Sequence, residues 1–334
     1  MTASTQTRRA LAYTTSLAAA GLVATALAGP AAAEKWDLPM AYPASNYHTE
    51  NGGTFAACVT KGTDGAIEIV THPNGSLFGG ADIKRAVQTG QVPIGERLLS
   101  AHANENPLFG VDSIPFLATS FDDSVKLWDA AEPAIAEALD EQNLVLLYTV
   151  PWPPQGMYFN KEVNSVADME GLKFRAYNAA TAKLAELTGM LPVQIEAAEV
   201  PQAFATGVAQ SMVSSGATGY DSKLWENVSN FYEVDAWLPR NAVFVNKDSW
   251  AALDDATRKV FTDCAATAES EGLQKAKDYT TFTLEGLAEN GMKVEKPSDQ
   301  LKADLAKVGE TMTAEWLKAA GDKGKAIVDA YKAN

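Results

Sequence analysis

Short apolar runs of strand length alternate with amphipathic segments of helical length along the first half of the chain. Residues 144–150 form a continuous apolar run, which is typical of a strand buried on both faces of a sheet. Asn46 is a suitable N-cap for the helical segment that follows it, and Lys61-Gly62 ends that segment. The pattern predicts strands at residues 36–41, 66–71 and 144–150 and helices at residues 47–60, 82–89 and 122–139.

The second half continues this alternation and then becomes mostly helical. Its predicted strands are residues 156–160, 172–175, 191–195 and 212–215, with an extended segment at 232–245; its predicted helices are 179–188, 200–207, 223–227, 254–287 and 299–330. Because strand and helix alternate regularly, we predict an α/β fold in layers around a largely parallel sheet. No Ser/Gly-rich linker is present, so we expect the domains to be joined by crossing strands.

The first 33 residues have the pattern of a signal peptide. Arg8 and Arg9 give the positive n-region, residues 11–27 a short apolar run, and residues 31–33 a small-residue cleavage signal. We therefore predict export to the periplasm and a mature start at Glu34. The arginine pair leaves both the general and the twin-arginine export routes open. No later segment is long and apolar enough to span a bilayer, so we expect a mature protein that is not embedded in a membrane.

The net charge of the chain limits the kinds of partner that it can bind. The chain has 42 Asp and Glu residues against 27 Lys and Arg residues, a formal net charge of −15, and removing the two arginines of the leader makes it −17. Such an acidic surface repels phosphates, which argues against a nucleic-acid partner. An acidic protein that binds an anion must hold a local cation in its pocket. We therefore expect a cationic side chain, such as an arginine near a strand end, at the ligand site.

The cysteine and histidine content excludes several kinds of site. Cys58 and Cys264 are the two cysteines of the sequence; in an oxidising compartment they predict one disulfide, and two buried free thiols are the alternative. His48, His72 and His102 show no metal-ligand spacing, so no metal site is predicted. The chain has no nucleotide-binding or hydrolase signature, which favours a binding protein over an enzyme and predicts no cofactor.

An arginine at the end of a predicted strand is the first binding candidate. Arg175 shares one face of the strand at residues 172–175 with Lys173. Its planar guanidinium can bind a carboxylate through two parallel hydrogen bonds and stays charged when partly desolvated. Asn178 follows closely and can donate a further hydrogen bond. A surface salt bridge is the alternative role for Arg175.

A Pro-rich segment after the buried strand at 144–150 is the second candidate, because open α/β sheets bind ligands at strand ends. In it Trp152 offers a flat apolar wall, and the amide of Gln155 both donates and accepts hydrogen bonds. The alternative is a rigid hinge with a packed tryptophan.

Two later segments are further candidates, and the first of them follows the predicted strand at 212–215. Ser214 and Ser215 offer hydroxyl groups beside open backbone amides, although an ordinary turn explains them as well. Trp237 and Asn241 add an aromatic wall and a polar group, with core packing as the alternative role for the tryptophan.

A series of short motifs runs in one order along the mature chain. They are Tyr47-His48, the stretch 75–80 (GSLFGG) followed by 88–92 (QTGQV), 171–175 (GLKFR), 202–208 (QAFATGV) and 245–247 (VNK). In this order they resemble the solute receptors of tripartite ATP-independent periplasmic (TRAP) transporters, the DctP-like family. The resemblance covers essentially the whole mature chain.

The resemblance implies a periplasmic-binding-protein-like fold. Two α/β domains would flank an interdomain cleft, connected by hinge strands and braced by a long helix, and closure of the cleft would trap the ligand. We place domain I at residues 34–155 and 246–283 and domain II at residues 156–245 and 284–334.

The resemblance also implies a set of ligand contacts. The signature arginine of the family, which pairs with the substrate carboxylate, matches Arg175. Gln155 is similar to a polar cleft residue of relatives that bind oxo-acids. The further implied contacts are Ser214, Ser215, Trp237 and Asn241 and, from loops of the first domain, Tyr47, His48, Phe78 and Glu96.

The implied function is that of a monomeric periplasmic receptor, which binds a small organic acid without turnover and delivers it to the TRAP membrane subunits. After Gly207-Val208 the chain reads AQSMVSS at 209–215, where many relatives have an acidic-Gly-x-Glu-Asn-Pro stretch. This departure argues against a dicarboxylate or a sialic-acid-like ligand. The available aromatic side chains favour a monocarboxylate with a modest apolar or aromatic body, and no convergent pair of acids predicts a bound cation.

Two other functions fit the same cleft. An exported lyase or hydrolase needs a poised base, for which His48, His102 and Glu96 are the candidates. A ligand-sensing module for a signalling partner would use the same closure, and the sequence does not separate it from transport.

Overall fold

Strands and helices alternate through the part of the chain that the structure, a computed structural model, describes: residues 1–2 and 33–333. The strands are β1 (Glu34–Pro39), β2 (Ile67–His72), β3 (Ile94–Leu98), β4 (Leu144–Pro151), β5 (Gln155–Phe159), β6 (Lys173–Ala176), β7 (Leu191–Gln194), β8 (Ser211–Ser215), β9 (Asn230–Tyr232), β10 (Arg240–Asn246) and β11 (Lys293–Glu295). The α-helices are α1 (Tyr47–Gly62), α2 (Ile83–Gln88), α3 (Phe121–Asp140), α4 (Ala179–Leu187), α5 (Val200–Ala205), α6 (Gly216–Asp221), α7 (Lys247–Ala252), α8 (Asp255–Glu289) and α9 (Asp299–Ala333), the last interrupted at Gly321.

The first lobe is built on two small sheets. Strands β3, β10 and β4 form a three-stranded sheet in that order, and the parallel pair β1–β2 packs beside it. Asn46 caps α1 by accepting a hydrogen bond from the backbone N–H of His48, as the sequence predicted. This cap fixes the loop between β1 and α1, which borders the cleft.

The second lobe is built on a six-stranded sheet. Its strand order is β11-β9-β5-β8-β6-β7, and all five residues of both β5 and β8 are buried. A left-handed backbone conformation at Gly171, with φ +74°, turns the chain into β6. Strands β6 and β8 run parallel, so their carboxyl ends lie at the same edge of the sheet.

Extended segments and two long helices join the lobes. β4 of the first lobe leads into β5 of the second, and β9 of the second leads back into β10 of the first. α8 packs on α1 and β4 of the first lobe and on α6 and β11 of the second, and α9 packs on both α3 and α4. This arrangement confirms the predicted two-domain α/β fold with hinge strands and a long bracing helix.

The sheets are mixed rather than largely parallel, which corrects the prediction. Strand β10 is antiparallel to β3 and β4, and β5 is antiparallel to β8 and β9, whereas the other pairings of described strands are parallel. The antiparallel strands are those that cross between the lobes. Strands β5 and β10 each enter a sheet directly from the opposite lobe. Two strands run parallel only when a crossover, usually a helix, brings the chain back to the same end of the sheet.

The pairing of β10 affects where the limit between the two domains is placed. The predicted limits assign residues 156–245 to the second domain, yet Arg240–Asn246 forms hydrogen-bonded pairs in the three-stranded sheet of the first lobe. This pairing favours a second crossing just before Arg240, and the domain limits stay a prediction.

The sequence pattern missed β3, β11, α6 and α7, and it did not separate β9 from the extended segment at 232–245. In β3, the charged residues Glu96 and Arg97 interrupt the apolar pattern, although all five residues of the strand are buried. The six-residue helix α6 was interpreted as an open turn; Ser215 caps it by accepting a hydrogen bond from the backbone N–H of Thr218.

The predicted signal peptide, residues 1–33, lies outside the described residues except for residues 1–2 and Ala33. Among the helices of the described chain, none has the length and apolarity needed to cross a membrane.

Candidate functional site

A cavity of about 440 Å³ lies between the two lobes where several strands end. Its volume falls in the range of small-molecule sites, and strand ends are where α/β folds bind ligands. Its polar side chains are Asn46, Asn74, Arg97, Gln155, Arg175, Glu196, Ser214, Thr218, Asp221 and Ser222, and its aromatic side chains are Tyr42, Trp152 and Tyr177.

Arg175 presents a buried, unneutralised cation to this cavity. The residue is 4% exposed, and among the described residues its guanidinium makes one hydrogen bond, from Nε to the backbone oxygen of Ile195 at 2.9 Å. The guanidinium carbon lies 5.0 Å from the centre of the Tyr177 ring. Burial lowers the pKa of Arg175 to about 10, so the group stays charged at neutral pH. Its terminal nitrogens are left to bind an anion.

A second buried arginine in the cavity was missed by the sequence analysis. Nη2 of Arg97, at the end of β3, donates to both carboxylate oxygens of Glu196, at 3.0 and 3.1 Å. Because Arg97 belongs to the first lobe and Glu196 follows β7 in the second, this ion pair crosses the cleft. The available signal was the adjacent pair Glu96-Arg97 inside an apolar segment of strand length.

The amide of Gln155 is held in one orientation at the cavity wall. The indole N–H of Trp237 donates to the hydroxyl oxygen of Tyr177 at 3.0 Å, and that hydroxyl donates to Oε1 of Gln155 at 3.2 Å. Nε2 of Gln155 donates to the backbone oxygen of Pro153 at 3.0 Å. One amide N–H of Gln155 is left for a ligand in the cavity.

The predicted residues divide into a group on the cavity wall and a group behind it. Arg175, Gln155, Trp152 and Ser214 line the cavity. Trp237 is 1% exposed and supports Tyr177 from behind. Their roles as ligand contacts stay predictions.

Ser215 and Asn178 act as helix caps. Asn178 caps α4 by accepting from the backbone N–H of Thr181 at 2.8 Å, and its Nδ2 donates across the cleft to Oγ of Ser100 at 3.0 Å. Asn178 lines a neighbouring cavity of about 830 Å³ and not the one that Arg175 lines. Ser215 is completely buried.

Four first-lobe candidates and Asn241 lie outside the lining of the 440 Å³ cavity. They are Tyr47, His48, Phe78, Glu96 and Asn241. Three of the five support Trp152: Oδ1 of Asn241 accepts from its indole N–H at 2.8 Å, the His48 ring lies 4.3 Å from the indole, and the Tyr47 hydroxyl donates to the backbone oxygen of Pro151 at 2.6 Å. Phe78 is partly buried against the hydrophobic cores.

Glu96 is a buried carboxyl group behind Trp152. Nδ2 of Asn241 donates to its Oε1, while its Oε2 and Nε2 of His48 have no hydrogen-bond partner among the described residues. Burial raises the pKa of Glu96 from 4.5 to about 7, and burial lowers the pKa of His48 well below its usual value. The carboxyl therefore titrates near neutral pH while the imidazole stays uncharged.

We expect Glu96→Gln to remove one pH-dependent contribution to stability. Between pH 4.5 and about pH 7 the folded wild type holds a proton that the unfolded chain releases, so the contribution of Glu96 to the free energy of unfolding falls as pH rises. Glutamine does not titrate, so the variant keeps stability where wild type loses it. The free energy of unfolding of the variant minus that of wild type should therefore rise by about 3 kcal/mol from pH 4.5 to pH 8. Denaturant unfolding of both proteins across this range measures the difference, and parallel pH profiles would contradict the assignment.

The two cysteines form a disulfide. Cys58 in α1 and Cys264 in α8 are bonded, with their Cα atoms 5.9 Å apart and a sequence separation of 206 residues. Neither lines the cavity. The bond ties α8 to α1 of the first lobe.

Comparisons with known proteins agree with this fold. A crystal structure of a TRAP solute-binding protein specific for pyroglutamate, from an unidentified microbe of a marine metagenome, is 53% identical; the match covers 90% of this chain and 99% of that one, with a TM-score of 0.90. DctP6 of Bordetella pertussis, an extracytoplasmic solute receptor that binds pyroglutamic acid, is 47% identical over 90% of this chain and 100% of that one, with a TM-score of 0.88.

A curated relative and a family model extend the comparison. A monocarboxylate 2-oxoacid-binding periplasmic protein of Nostoc sp. is 23% identical over 281 residues, which are 82% of this chain and 77% of the relative. The family model DctP, described as bacterial extracellular solute-binding protein family 7, matches residues 40–320. The chain therefore belongs to family 7 of the bacterial extracellular solute-binding proteins.

Proposed function

We propose that this chain is the periplasmic receptor of a TRAP transporter and that its ligand is pyroglutamate, a cyclic monocarboxylate. The observation that carries the proposal is the buried guanidinium of Arg175, which faces the cavity between the lobes without a carboxylate partner among the described residues. Relatives of 53% and 47% identity bind pyroglutamate, which supports this ligand over other monocarboxylates.

The remaining groups of the ligand match the cavity wall. The carboxylate would take the two terminal nitrogens of Arg175, the strongest polar contact that the cavity offers. The lactam oxygen accepts hydrogen bonds and suits the free amide N–H of Gln155 or the hydroxyl of Ser214. The lactam N–H needs an acceptor, and the carboxylate of Asp221 lies on the same wall. Leu98 and Pro201 supply apolar surface for the ring methylenes.

The mechanism is binding with closure and without turnover. Arg175, Gln155 and Ser214 belong to the second lobe, while Tyr42, Asn74 and Leu98 belong to the first. A ligand held by both lobes makes more contacts in the closed state than in the open one, so it shifts the population toward closure. The closed form would then be the one that the TRAP membrane subunits recognise.

The enzyme alternative is less well supported. Its candidate bases were His48, His102 and Glu96, and all three lie outside the lining of the 440 Å³ cavity. Nδ1 of His102 is paired with Glu105 at 2.8 Å, and burial lowers the pKa of His102 to about 4. A base must reach the proton that it removes, directly or through one water. We therefore propose a receptor with no catalytic step, and its monomeric state stays a prediction.

Isothermal titration with pyroglutamate, proline and glutamate tests the ligand. We expect pyroglutamate to bind one to one with a Kd in the micromolar range or below. Proline lacks the lactam oxygen, so the amide N–H of Gln155 or the hydroxyl of Ser214 would be left without its partner, and we expect proline to bind about 10-fold more weakly or worse. Mass spectrometry of small molecules released from the purified protein provides an independent identification. Equal binding of proline, or no binding of pyroglutamate while another organic acid binds, would exclude this ligand.

A further inference from the structure

The cavity contains two buried arginines from opposite lobes. Arg97 is 4% exposed at the end of β3, and Arg175 is 4% exposed at the end of β6. Burial and, to a smaller extent, the positive charge of Arg97 lower the pKa of Arg175. Two such cations in one small cavity would suit a ligand with two carboxylates unless one of them is neutralised from within the protein.

Glu196 neutralises one of these cations. Its carboxylate accepts two hydrogen bonds from Nη2 of Arg97, and the same residue forms a capping box with Glu199 at the start of the helical segment that leads into α5. The backbone N–H of Glu196 donates to Oε2 of Glu199 at 3.2 Å, which fixes the backbone from which the Glu196 side chain reaches Arg97. Gly80 packs directly on the ion pair, since a Cβ at that position would lie 2.6 Å from Nη1 of Arg97 and 2.6 Å from Oε2 of Glu196.

The other acid on the wall has partners of its own. Asp221 accepts hydrogen bonds from Nδ2 of Asn46 at 2.7 Å and from the hydroxyl of Tyr279 at 2.7 Å. It forms no ion pair with either arginine within 4 Å in the described part of the chain. The cavity wall therefore offers one guanidinium, that of Arg175, whose charge is not paired with a carboxylate.

We propose that Glu196 is a specificity-determining residue that limits the site to ligands with a single negative charge. It does so by occupying Arg97, which would otherwise receive a second carboxylate. A dicarboxylate placed on Arg175 would bring its second charge against Glu196, and like charges at contact distance are strongly unfavourable in a desolvated site. Among the described residues the guanidinium of Arg97 donates to Glu196 from Nη2 alone, so its Nη1 can bind a further acceptor once Glu196 is neutral. The inference rests on the proposed function of binding a small carboxylate at Arg175.

Glu196→Gln tests this inference because glutamine keeps the size of the side chain and removes the charge. Titrations of wild type and variant use pyroglutamate as the monoanion and glutarate and succinate as dianions. We expect the ratio of the Kd for glutarate to the Kd for pyroglutamate to fall by about tenfold or more in the variant, as expected for a new charge-assisted contact. The ratio is used because loss of a cross-cleft ion pair weakens closure around every ligand alike.

The double variant Arg97→Gln/Glu196→Gln is the matched control. It removes both charges of the pair, so it should show no gain for glutarate over wild type, and circular dichroism verifies that each variant is folded. An unchanged ratio in folded Glu196→Gln, or the same gain in the double variant, would overturn the inference. Failure of wild type to bind pyroglutamate would instead overturn the proposed ligand, while a gain for the two dicarboxylates in Glu196→Gln alone would still support the role of Glu196.

Discussion

Replacing Arg175 by alanine should weaken ligand binding by about 2–5 kcal/mol, which corresponds to roughly 30-fold to several thousand-fold in Kd. The reason is that the ligand carboxylate would remain buried in the cavity without its counter-charge. Arg175→Lys should recover part of the affinity, since an ammonium keeps the charge but lacks the planar fork that binds two oxygens. The affinities are measured by isothermal titration.

The neighbouring Lys173 provides the matched control. It lies on the same strand, is exposed, and donates to the backbone oxygen of Gly207 at 3.1 Å, so Lys173→Ala should bind the ligand as wild type does. The ligand-free Arg175→Ala protein should be at least as stable as wild type, because an unpaired buried cation is unfavourable. Full affinity in a folded Arg175→Ala variant would remove Arg175 from the binding site.

Removing the disulfide should produce the largest loss of stability. The Cys58–Cys264 bond closes a loop with a sequence separation of 206 residues, and restriction of the unfolded chain by such a loop contributes about 5 kcal/mol in the chain-entropy model. We expect the double variant Cys58→Ser/Cys264→Ser to lose about 2–5 kcal/mol of unfolding free energy, the lower values applying where the unfolded chain retains structure. Denaturant unfolding at constant pH measures the loss.

Wild type treated with a reductant is the control for this variant. It should unfold at the same denaturant concentration as the serine variant, because both lack the cross-link. Ligand affinity of the folded serine variant should stay close to that of wild type, since neither cysteine lines the cavity. Equal stability of oxidised and reduced wild type would contradict a stabilising role for the bond.

Most of the fold could be predicted from local patterns. The predicted helices at 47–60 and 122–139 correspond to Tyr47–Gly62 and Phe121–Asp140, because each combines a good N-cap with a periodic apolar face. Strand directions could not be predicted in the same way. The antiparallel pairing of β5 and β10 depends on which lobe the chain comes from, and no short window of sequence contains that information.

The site was predicted less completely than the fold. Arg175 was found because it ends an alternating strand, whereas Arg97 was missed because its own strand was not recognised. Glu196 lies between a short edge strand and a helical turn, and nothing local indicates that it meets Arg97, 99 residues away. Trp237 and Asn241 were also predicted as contacts. The indole N–H of Trp237 donates to Tyr177 and Oδ1 of Asn241 accepts from Trp152, and both of these partners lie on the cavity wall. Such indirect roles depend on tertiary packing.

The central claim is that a carboxylate in the cleft is held by the guanidinium of Arg175. A crystal structure of the protein with pyroglutamate tests it most directly. We expect both carboxylate oxygens at about 2.7–2.9 Å from nitrogens of Arg175, with Arg97 still paired with Glu196. A carboxylate bound by Arg97 or by backbone groups, with Arg175 contacting only water, would contradict the account.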